Sequence, residues 1–251
     1  MKTLVIIPSR LESTRLSQKA LAEICGKPMI EWVLQQTKLA NVGEVVVATC
    51  GHEIASAVAN AKGRYIITNP NLPSGTDRVW AAYQDMGEPD VDVIINVQGD
   101  LPLLLPNHLQ DILKPFSDPD VDVSTLATLI TDPSEVNNPN VVKICMDQPH
   151  DNIGRAVYFS RSAVPANALN YYHHVGVYAY RPQALKAFVN HPPCYLEQTE
   201  KLEQLRFLQH GFRIDVVIIE SAPVSVDTYA DLEKVRSLAT DYLDKHVTFP
   251  C

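Results

Sequence analysis

The sequence predicts an α/β protein with a mostly parallel sheet that is covered by helices. Short apolar runs alternate with helical stretches through the first hundred residues. The runs are continuous rather than alternating, which is typical of strands buried on both faces, as in parallel sheets. The chain has 251 residues, of which 46% are hydrophobic and 20% charged. It is therefore long enough to bury a sizeable core in one large domain.

The first half reads as four strands alternating with three helices. The first apolar run is stopped by Pro8, and the second helix is ended by Gly63, both common terminators. In order, the predicted elements are a strand at 4–8, a helix at 28–39, a strand at 44–49, a helix at 52–62, a strand at 65–68, a helix at 76–86 and a strand at 91–97.

The second half is less regular. A stretch rich in proline and asparagine separates two of its strands and is expected to hold a subdomain or dimer surface. The sequence shows no internal repeat and no long linker, which favours a single domain over residues 1–251. The predicted elements are strands at 122–129, 140–146, 174–180 and 214–219, an amphipathic helix at 196–209 and a final helix at 229–245.

Composition and charge exclude several classes of function. The formal net charge is −8, from 21 basic and 29 acidic residues, which disfavours nonspecific DNA or an anionic membrane as the main partner. The five cysteines form no CxxC pair and are odd in number, so neither a structural zinc site nor a disulfide framework is expected. No apolar run approaches the ~20 residues of a transmembrane helix. With no signal-peptide pattern before the first strand, we expect a soluble, cytoplasmic protein.

A loop rich in cations and hydroxyl groups follows the first predicted strand. Residues 9–19 contain Arg10, Arg15 and Lys19 on an otherwise acidic chain. Loops after parallel strands are common ligand sites, and a triphosphate needs guanidinium, ammonium and backbone N–H groups. The loop matches neither GxGxxG nor a Walker sequence. The alternative is a solvated basic loop without a ligand.

Residues 74–78 (Ser-Gly-Thr-Asp-Arg) follow the third strand and open a helix. A glycine there allows close backbone approach, and a helix N-terminus favours an anion. The alternative is simple capping, with Ser74 or Thr76 as N-cap.

Two aspartates follow strands and are candidate Mg²⁺ ligands. Asp100 ends the Gln98-Gly99-Asp100 segment, and Asp227 follows the last strand. Mg²⁺ prefers one or two carboxylates with phosphate oxygens, and the Gln98 amide suits a nucleobase edge. The alternative for each aspartate is capping of the next helix.

The second half offers weaker candidates. His173 and His174 precede a strand without metal-ligand spacing, and such a pair is more often structural or on the surface. Glu203 and Gln204 lie on the predicted amphipathic helix, where a solvated face is the default interpretation.

Taken in order, these segments resemble the sugar-acid cytidylyltransferases, and among them the 3-deoxy-manno-octulosonate (Kdo) cytidylyltransferases, or CMP-Kdo synthetases. Any one motif is weak, but the ordered set extends over nearly the whole chain. The segments that carry the resemblance are 7–21, 26–30, 74–78, 96–100, 138–143, 158–161, 174–178, 202–206 and 226–228.

The resemblance implies that CTP and Kdo give CMP-Kdo and pyrophosphate with Mg²⁺, for lipopolysaccharide synthesis. The sugar 2-hydroxyl would attack the α-phosphorus in line. It also implies a Rossmann-like mixed sheet flanked by helices, of the nucleotide-diphospho-sugar transferase type. A small dimerisation and sugar-side subdomain at about 150–182, and a homodimer, belong to the same expectation.

The resemblance also implies a role for each matching residue. Lys19 would stabilise charge on the α-phosphate, and Arg161 would bind the sugar carboxylate. It assigns Lys19, Arg10 and Asp100 to catalysis; Ser9, Arg10, Lys19, Ser74, Gly75, Arg78 and Gln98 to the nucleotide; Gln98, Arg161, His174, Tyr178, Glu203 and Gln204 to the sugar acid; and Asp100 and Asp227 to Mg²⁺.

The chain departs from the common family pattern at several positions. These changes are expected to alter the path of the loop at 9–19, the acids near the metal, the dimer contact and the sugar-side lid. Ser17-Gln18 and Ala20 replace Pro-Gly and Pro, Cys50 a frequent Asp, Leu101 a frequent Glu, and Ala166 a frequent Trp.

Three alternatives remain open at this point. The first is a cytidylyltransferase for a related acid: an amino-Kdo, a sialic-type acid or a phosphonate. The second is a non-catalytic nucleotide-binding protein, and the third is a sugar-binding or structural protein on a similar sheet. Fold class alone does not choose among them.

Overall fold

Strands and helices alternate in the first hundred residues, and strands dominate the middle of the chain. The computed structural model describes residues 1–11 and 16–245. Its strands are β1 (Thr3–Ser9), β2 (Glu23–Ile24), β3 (Lys27–Pro28), β4 (Glu44–Thr49), β5 (Arg64–Ile67), β6 (Val93–Asn96), β7 (Val123–Leu129), β8 (Lys143–Met146), β9 (Ile153–Ser160), β10 (Tyr172–Tyr180) and β11 (Ile214–Ile218). Its helices are α1 (Met29–Leu39), α2 (His52–Asn60), α3 (Gly75–Asp85), α4 (Pro106–Asp111), α5 (Pro133–Val136), α6 (Pro182–Asn190), α7 (Tyr195–Glu200), α8 (Leu205–Gln209) and α9 (Tyr229–Lys245), with short 3-10 turns at Lys19–Leu21 and Lys114–Ser117.

The chain divides into two compact units. The first unit comprises Leu4–Pro89, Asn96–Pro106 and the chain from residue 223 onward. The second comprises Met1–Thr3, Asp90–Ile95 and Asn107–Ala222. The expected dimerisation subdomain at about 150–182 stays a prediction.

The first unit contains three strands that pair in parallel. Strands β1 and β4 pair in parallel, and β4 pairs in parallel with β5. All seven residues of β1 are buried, which confirms that its continuous apolar run marks a strand covered on both faces. The Val97 amide donates to the Ile6 carbonyl at 3.1 Å, so residues 97–100 run beside the end of β1.

Helices α1 and α9 share an apolar cluster in the first unit. Trp32 is 2% exposed in this cluster, and its indole N–H donates to the Ile24 carbonyl at 2.8 Å. The buried members of this cluster are Ile24, Met29, Trp32, Val226, Leu232, Val235 and Ala239. The bounds of α9 match the helix predicted at 229–245.

The second unit corrects the expectation of a mostly parallel sheet. Its strands β10 and β7, β9 and β11, and β8 and β9 all pair antiparallel, while β11 and β7 pair parallel. Strand β8 also pairs antiparallel with β10, so β10, β7, β11, β9 and β8 close into a five-stranded barrel. The sheet is therefore mixed, which confirms what the family resemblance implies. Sequence alternation does not reveal which strands will pair or in which direction.

One further prediction is corrected in the second unit, and one strand was missed. The single helix expected at 196–209 is two short helices, α7 and α8, because Lys201 adopts a left-handed conformation with φ 56°. Strand β9 was not predicted, because its Gly154 and Arg155 interrupt the apolar pattern. Among the described residues, no helix is both long and apolar enough to cross a membrane.

Candidate active site

A cavity of about 290 Å³ lies at the carboxyl end of β1 in the first unit. Gly99 permits its tight wall, because a Cβ at this position would lie 3.0 Å from the Pro8 carbonyl oxygen. The cavity brings together all the residues that were predicted from the sequence to bind the nucleotide or the metal ion. It is lined by Pro8, Ser9, Arg10, Lys19, Ala20, Pro73, Ser74, Gly75, Arg78, Gln98, Gly99, Asp100 and Asp227.

An ammonium group bridges two carboxylates in this cavity. Lys19 Nζ lies 2.8 Å from Asp100 Oδ2 and 3.1 Å from Asp227 Oδ1. Burial acts to lower the pKa of Lys19, but the charge and hydrogen bonds of Asp100, and then of Asp227, raise it above its usual value. Lys19 therefore remains a cation at neutral pH. The Val226 amide donates to the Asp100 carbonyl at 3.0 Å and so holds the two acidic segments together.

The capping alternative for Asp227 does not hold. Thr228 and Asp231 exchange hydrogen bonds at the start of α9: Asp231 N donates to Thr228 Oγ1 at 3.2 Å, and Thr228 N donates to Asp231 Oδ2 at 2.8 Å. This reciprocal arrangement is a capping box, for which the Thr-x-x-Asp spacing is the sequence signal. The Asp227 carboxylate is thereby available to Lys19.

The loop that carries Lys19 shows how the chain accommodates its departures from the family pattern. Gln18, which stands where glycine is common, adopts a left-handed conformation with φ 51° and ψ 36°. The 3-10 turn Lys19–Leu21 follows it. Ser9 is buried and Arg10 exposed at the end of β1. Arg15, the third predicted cation, lies outside the described residues.

Ser74 caps helix α3, so here the capping interpretation is confirmed for the side chain. Its hydroxyl accepts from the Asp77 amide at 3.1 Å and donates to the Asp77 carboxylate at 2.6 Å. The predicted nucleotide contact at Ser74 would therefore have to come from its backbone.

Arg78 presents buried cationic charge to the cavity. Arg78 is only 3% exposed. Its Nη1 donates to Thr68 Oγ1 and to the Asn69 carbonyl. Among the described residues, no carboxylate lies within ion-pair distance of it. A buried arginine without a carboxylate needs other acceptors, and a ligand in the cavity can provide them.

Gln98 is oriented by a strand residue that the sequence analysis did not single out. Its Nε2 donates to Asn96 Oδ1 at 3.2 Å. Its Oε1 lies 3.6 Å from the position that a Cβ on Gly75 would take, and both residues line the cavity. The Oε1 of this amide can therefore act as an acceptor for a ligand in the cavity.

A β-bulge in the second unit brings two predicted sugar residues together. The rings of His174 and Tyr178 lie 5.3 Å apart, although four residues of a regular strand span roughly 13 Å. The register of β10 against β7 shifts between Val175 and Tyr178. Thr125, a β7 residue without a recognisable sequence signal, donates to the Val177 carbonyl at 2.8 Å inside this bulge and lies 3.1 Å from His174 Nε2.

Both side chains are held neutral. Burial, and then the neighbouring charge of His173, lower the pKa of His174 to about 3. Burial, followed by Tyr180 and Glu203, raises the pKa of Tyr178 well above its usual value. At neutral pH the two groups offer uncharged donors and acceptors.

Glu203 and Gln204 lie between α7 and α8, not on the solvated helix face that was predicted. Glu203 is close enough to Tyr178 to act on its pKa. Gln204 is only 3% exposed, and its buried Nε2 has no hydrogen-bond partner among the described residues. An unpartnered buried donor is costly, so a ligand acceptor would satisfy it.

Arg161 follows β9, and its guanidinium contacts backbone carbonyls. Its Nε donates to Glu200 O at 2.8 Å, Nη1 to Pro139 O at 2.9 Å and Nη2 to Lys201 O at 3.4 Å. Its position beside the segment that precedes Glu203 was not evident from the sequence.

Comparison with known proteins supports the resemblance. A family model described as a cytidylyltransferase matches residues 4–214. A protein of Paramagnetospirillum magneticum named 3-deoxy-manno-octulosonate cytidylyltransferase is 48% identical over 237 residues, 94% of this chain and 96% of that protein. A protein of the same name from Bartonella tribocorum is 46% identical over 239 residues, 95% of this chain and 98% of that protein.

A solved structure gives the same result. The structure of CMP:2-keto-3-deoxy-manno-octonic acid synthetase complexed with CTP is 36% identical in sequence, with a TM-score of 0.89. The match covers 97% of this chain and 100% of that chain. The chain therefore belongs to the cytidylyltransferase family and, within it, to the 3-deoxy-manno-octulosonate cytidylyltransferases.

Proposed function

We propose that this protein transfers a cytidylyl group from CTP to Kdo, giving CMP-Kdo and pyrophosphate. The observation that carries the proposal is the Lys19–Asp100–Asp227 cluster in the cavity at the carboxyl end of β1, in a chain 46–48% identical to proteins named for this activity. The sugar 2-hydroxyl gives up its proton, which passes to solvent, and its oxygen forms a bond to the α-phosphorus. The bond from that phosphorus to the bridging oxygen breaks, and pyrophosphate leaves with its electron pair.

Phosphoryl-type transfer needs positioning and charge stabilisation more than covalent help from the protein. Lys19 and Arg10 line the cavity and carry the positive charge that a triphosphate requires. We assign Lys19 to the α-phosphate, where negative charge develops, and Arg10 to the remaining phosphates.

The residues present fit a divalent cation. The carboxylates of Asp100 and Asp227 both lie against one cation, the ammonium of Lys19, and this arrangement supports the assignment. No group of three or more potential ligands was found among the described residues, and Leu101, where Glu is common, is buried. Mg²⁺ suits such a set, because it takes one or two carboxylates and completes its shell with phosphate oxygens and water. When bound, it would lower the pKa of the sugar hydroxyl and neutralise phosphate charge.

The base would be read by complementary groups. Cytosine presents acceptors at O2 and N3 and a donor at its exocyclic amine. Arg78 supplies donors and Gln98 Oε1 an acceptor in the same cavity. Uracil carries the opposite pattern at two of these positions, so this pair favours CTP over UTP.

The sugar acid would be held by the neutral cluster of the second unit. His174 and Tyr178 offer uncharged hydrogen-bonding groups, and Gln204 offers an unpartnered donor. These suit the many hydroxyls of Kdo. We also propose the expected homodimer and a supply of activated Kdo for lipopolysaccharide synthesis, on the family resemblance alone.

The test is pyrophosphate release from CTP and Mg²⁺, with and without Kdo, beside an amino-Kdo, a sialic acid and a phosphonate. Release that depends on Kdo supports the proposal. Pyrophosphate release with another acid but not with Kdo would contradict Kdo as the substrate. It would still support CTP as the nucleotide. If the protein bound CTP but released no pyrophosphate with any of the acids, it would be a non-catalytic homologue.

A further inference from the structure

The turn between α7 and α8 has a backbone conformation that its sequence does not favour. Lys201 has φ 56° and ψ 47°, in the left-handed region that non-glycine residues seldom occupy. The Leu202 amide donates to the Glu197 carbonyl at 3.2 Å and closes the turn. Such a conformation persists only where surrounding groups hold it.

The guanidinium of Arg161 supplies that restraint. It donates from Nε to the Glu200 carbonyl and from Nη2 to the Lys201 carbonyl, while Nη1 donates to the Pro139 carbonyl. The Arg161 amide donates to Glu200 Oε2 at 2.9 Å. Ser160 Oγ donates to Glu200 Oε1 at 2.8 Å. The end of β9 therefore holds the last residues of α7 through both backbone and side chain.

The segment that leaves this turn carries the candidate sugar residues. Leu202 and Leu205, 6% and 0% exposed, anchor it in the core. Between them, the carboxylate of Glu203 acts on Tyr178, and the Nε2 of Gln204 is buried without a partner. The direction in which the chain leaves Lys201 decides where these groups point, and misplacement by about 1 Å is costly for a bound substrate.

We propose that Arg161 is a positioning residue: it holds the left-handed turn at Lys201 and thereby places Glu203 and Gln204 for the sugar acid. This role replaces direct binding of the sugar carboxylate, and it rests on the function proposed above. Three of the five N–H groups of the guanidinium are used on backbone carbonyls.

The test combines Arg161→Gln with Lys201→Gly. Glycine occupies the left-handed region without strain, so it removes the need for the restraint. We expect Arg161→Gln to raise the KM for Kdo by about 5- to 30-fold, the equivalent of one left-handed residue, with the KM for CTP within about twofold. The double variant should recover most of that loss. Lys201→Gly alone should behave like the parent.

Arg155→Gln is the matched control, because Arg155 is exposed on the same strand β9. It should change neither KM, and the Tm of each variant establishes that it folds. A KM for Kdo that stays raised in the double variant would mean direct contact with the sugar and overturn the proposal. An unchanged KM in Arg161→Gln, or an equal rise in both KM values, would overturn it too. An inactive parent chain would instead refute the proposed function itself.

Discussion

The two candidate binding regions use different chemistry. The cavity of the first unit is built from loops after parallel strands and concentrates charge, with Lys19 between Asp100 and Asp227. The cluster of the second unit is built from a bulged strand and a helix–helix turn, and its His174 and Tyr178 are held uncharged. Charge suits phosphates, and neutral hydrogen-bonding groups suit sugar hydroxyls. Changes in the first region should therefore affect turnover, and changes in the second should affect sugar affinity.

The largest effect is expected at Lys19. Lys19→Met removes the cation that balances two carboxylates and that we propose stabilises the α-phosphate, so kcat/KM should fall by about 100- to 1,000-fold. Steady-state pyrophosphate release measures this. Lys38→Met, on the exposed face of α1, is the control and should be neutral. A fall in kcat/KM of less than tenfold would mean that the first region does not depend on the positive charge of Lys19.

A smaller effect is expected at Gln204, where a substitution should weaken activity without lowering stability. Gln204→Leu removes a buried donor without a partner, so the free energy of unfolding should rise by about 1 kcal/mol or stay unchanged. The KM for Kdo should rise about tenfold while the KM for CTP stays the same. Urea denaturation and kinetics measure the two effects. Exposed Gln209→Leu is the control, and a fall in stability without a change in KM would assign Gln204 to packing alone.

The neutral state of His174 predicts a dependence of stability on pH. Its pKa is about 3 in the folded chain and about 6.5 when unfolded, so folding disfavours its proton. The contribution of His174 to the free energy of unfolding is fully present above pH ~6.5. It is lost as the pH falls towards 3, by at most about 1.4 kcal/mol per pH unit. In His174→Asn this part of the decline should disappear, as urea midpoints at several pH values would show. Exposed His52→Asn should retain the decline, and an unchanged slope in His174→Asn would contradict a neutral His174.

The smallest effect is expected at Gln18. Gln18→Gly removes the cost of a side chain in the left-handed conformation, and the free energy of unfolding should rise by about 1 kcal/mol. A shift of the urea midpoint with an unchanged slope measures it. A destabilised variant would show that the Gln18 side chain contributes more than its backbone strain costs.

Most of the first unit was predictable because its signals are local. The bounds of β4 agree with the strand predicted at 44–49, since a continuous apolar run marks a buried strand. The capping of α3 by Ser74 was one of the alternatives recognised. The second unit was less predictable, because strand direction, the closure through β8 and β10, and strand β9 depend on pairing between distant segments.

The sequence by itself determined the kinds of groups this protein uses and their order: cations after β1, aspartates after two further strands, and neutral polar residues in the second half. Only the tertiary structure decided which of them act together. The approach of Lys19 to Asp100 and Asp227 joins positions 81 and 208 residues apart. The bulge in β10, and not the sequence spacing, brings His174 close to Tyr178. The left-handed conformation of Lys201 ends α7, so Glu203 and Gln204 do not lie on the predicted helix. Residue types and short-range patterns are local properties, whereas these contacts depend on the energy of packing the whole chain.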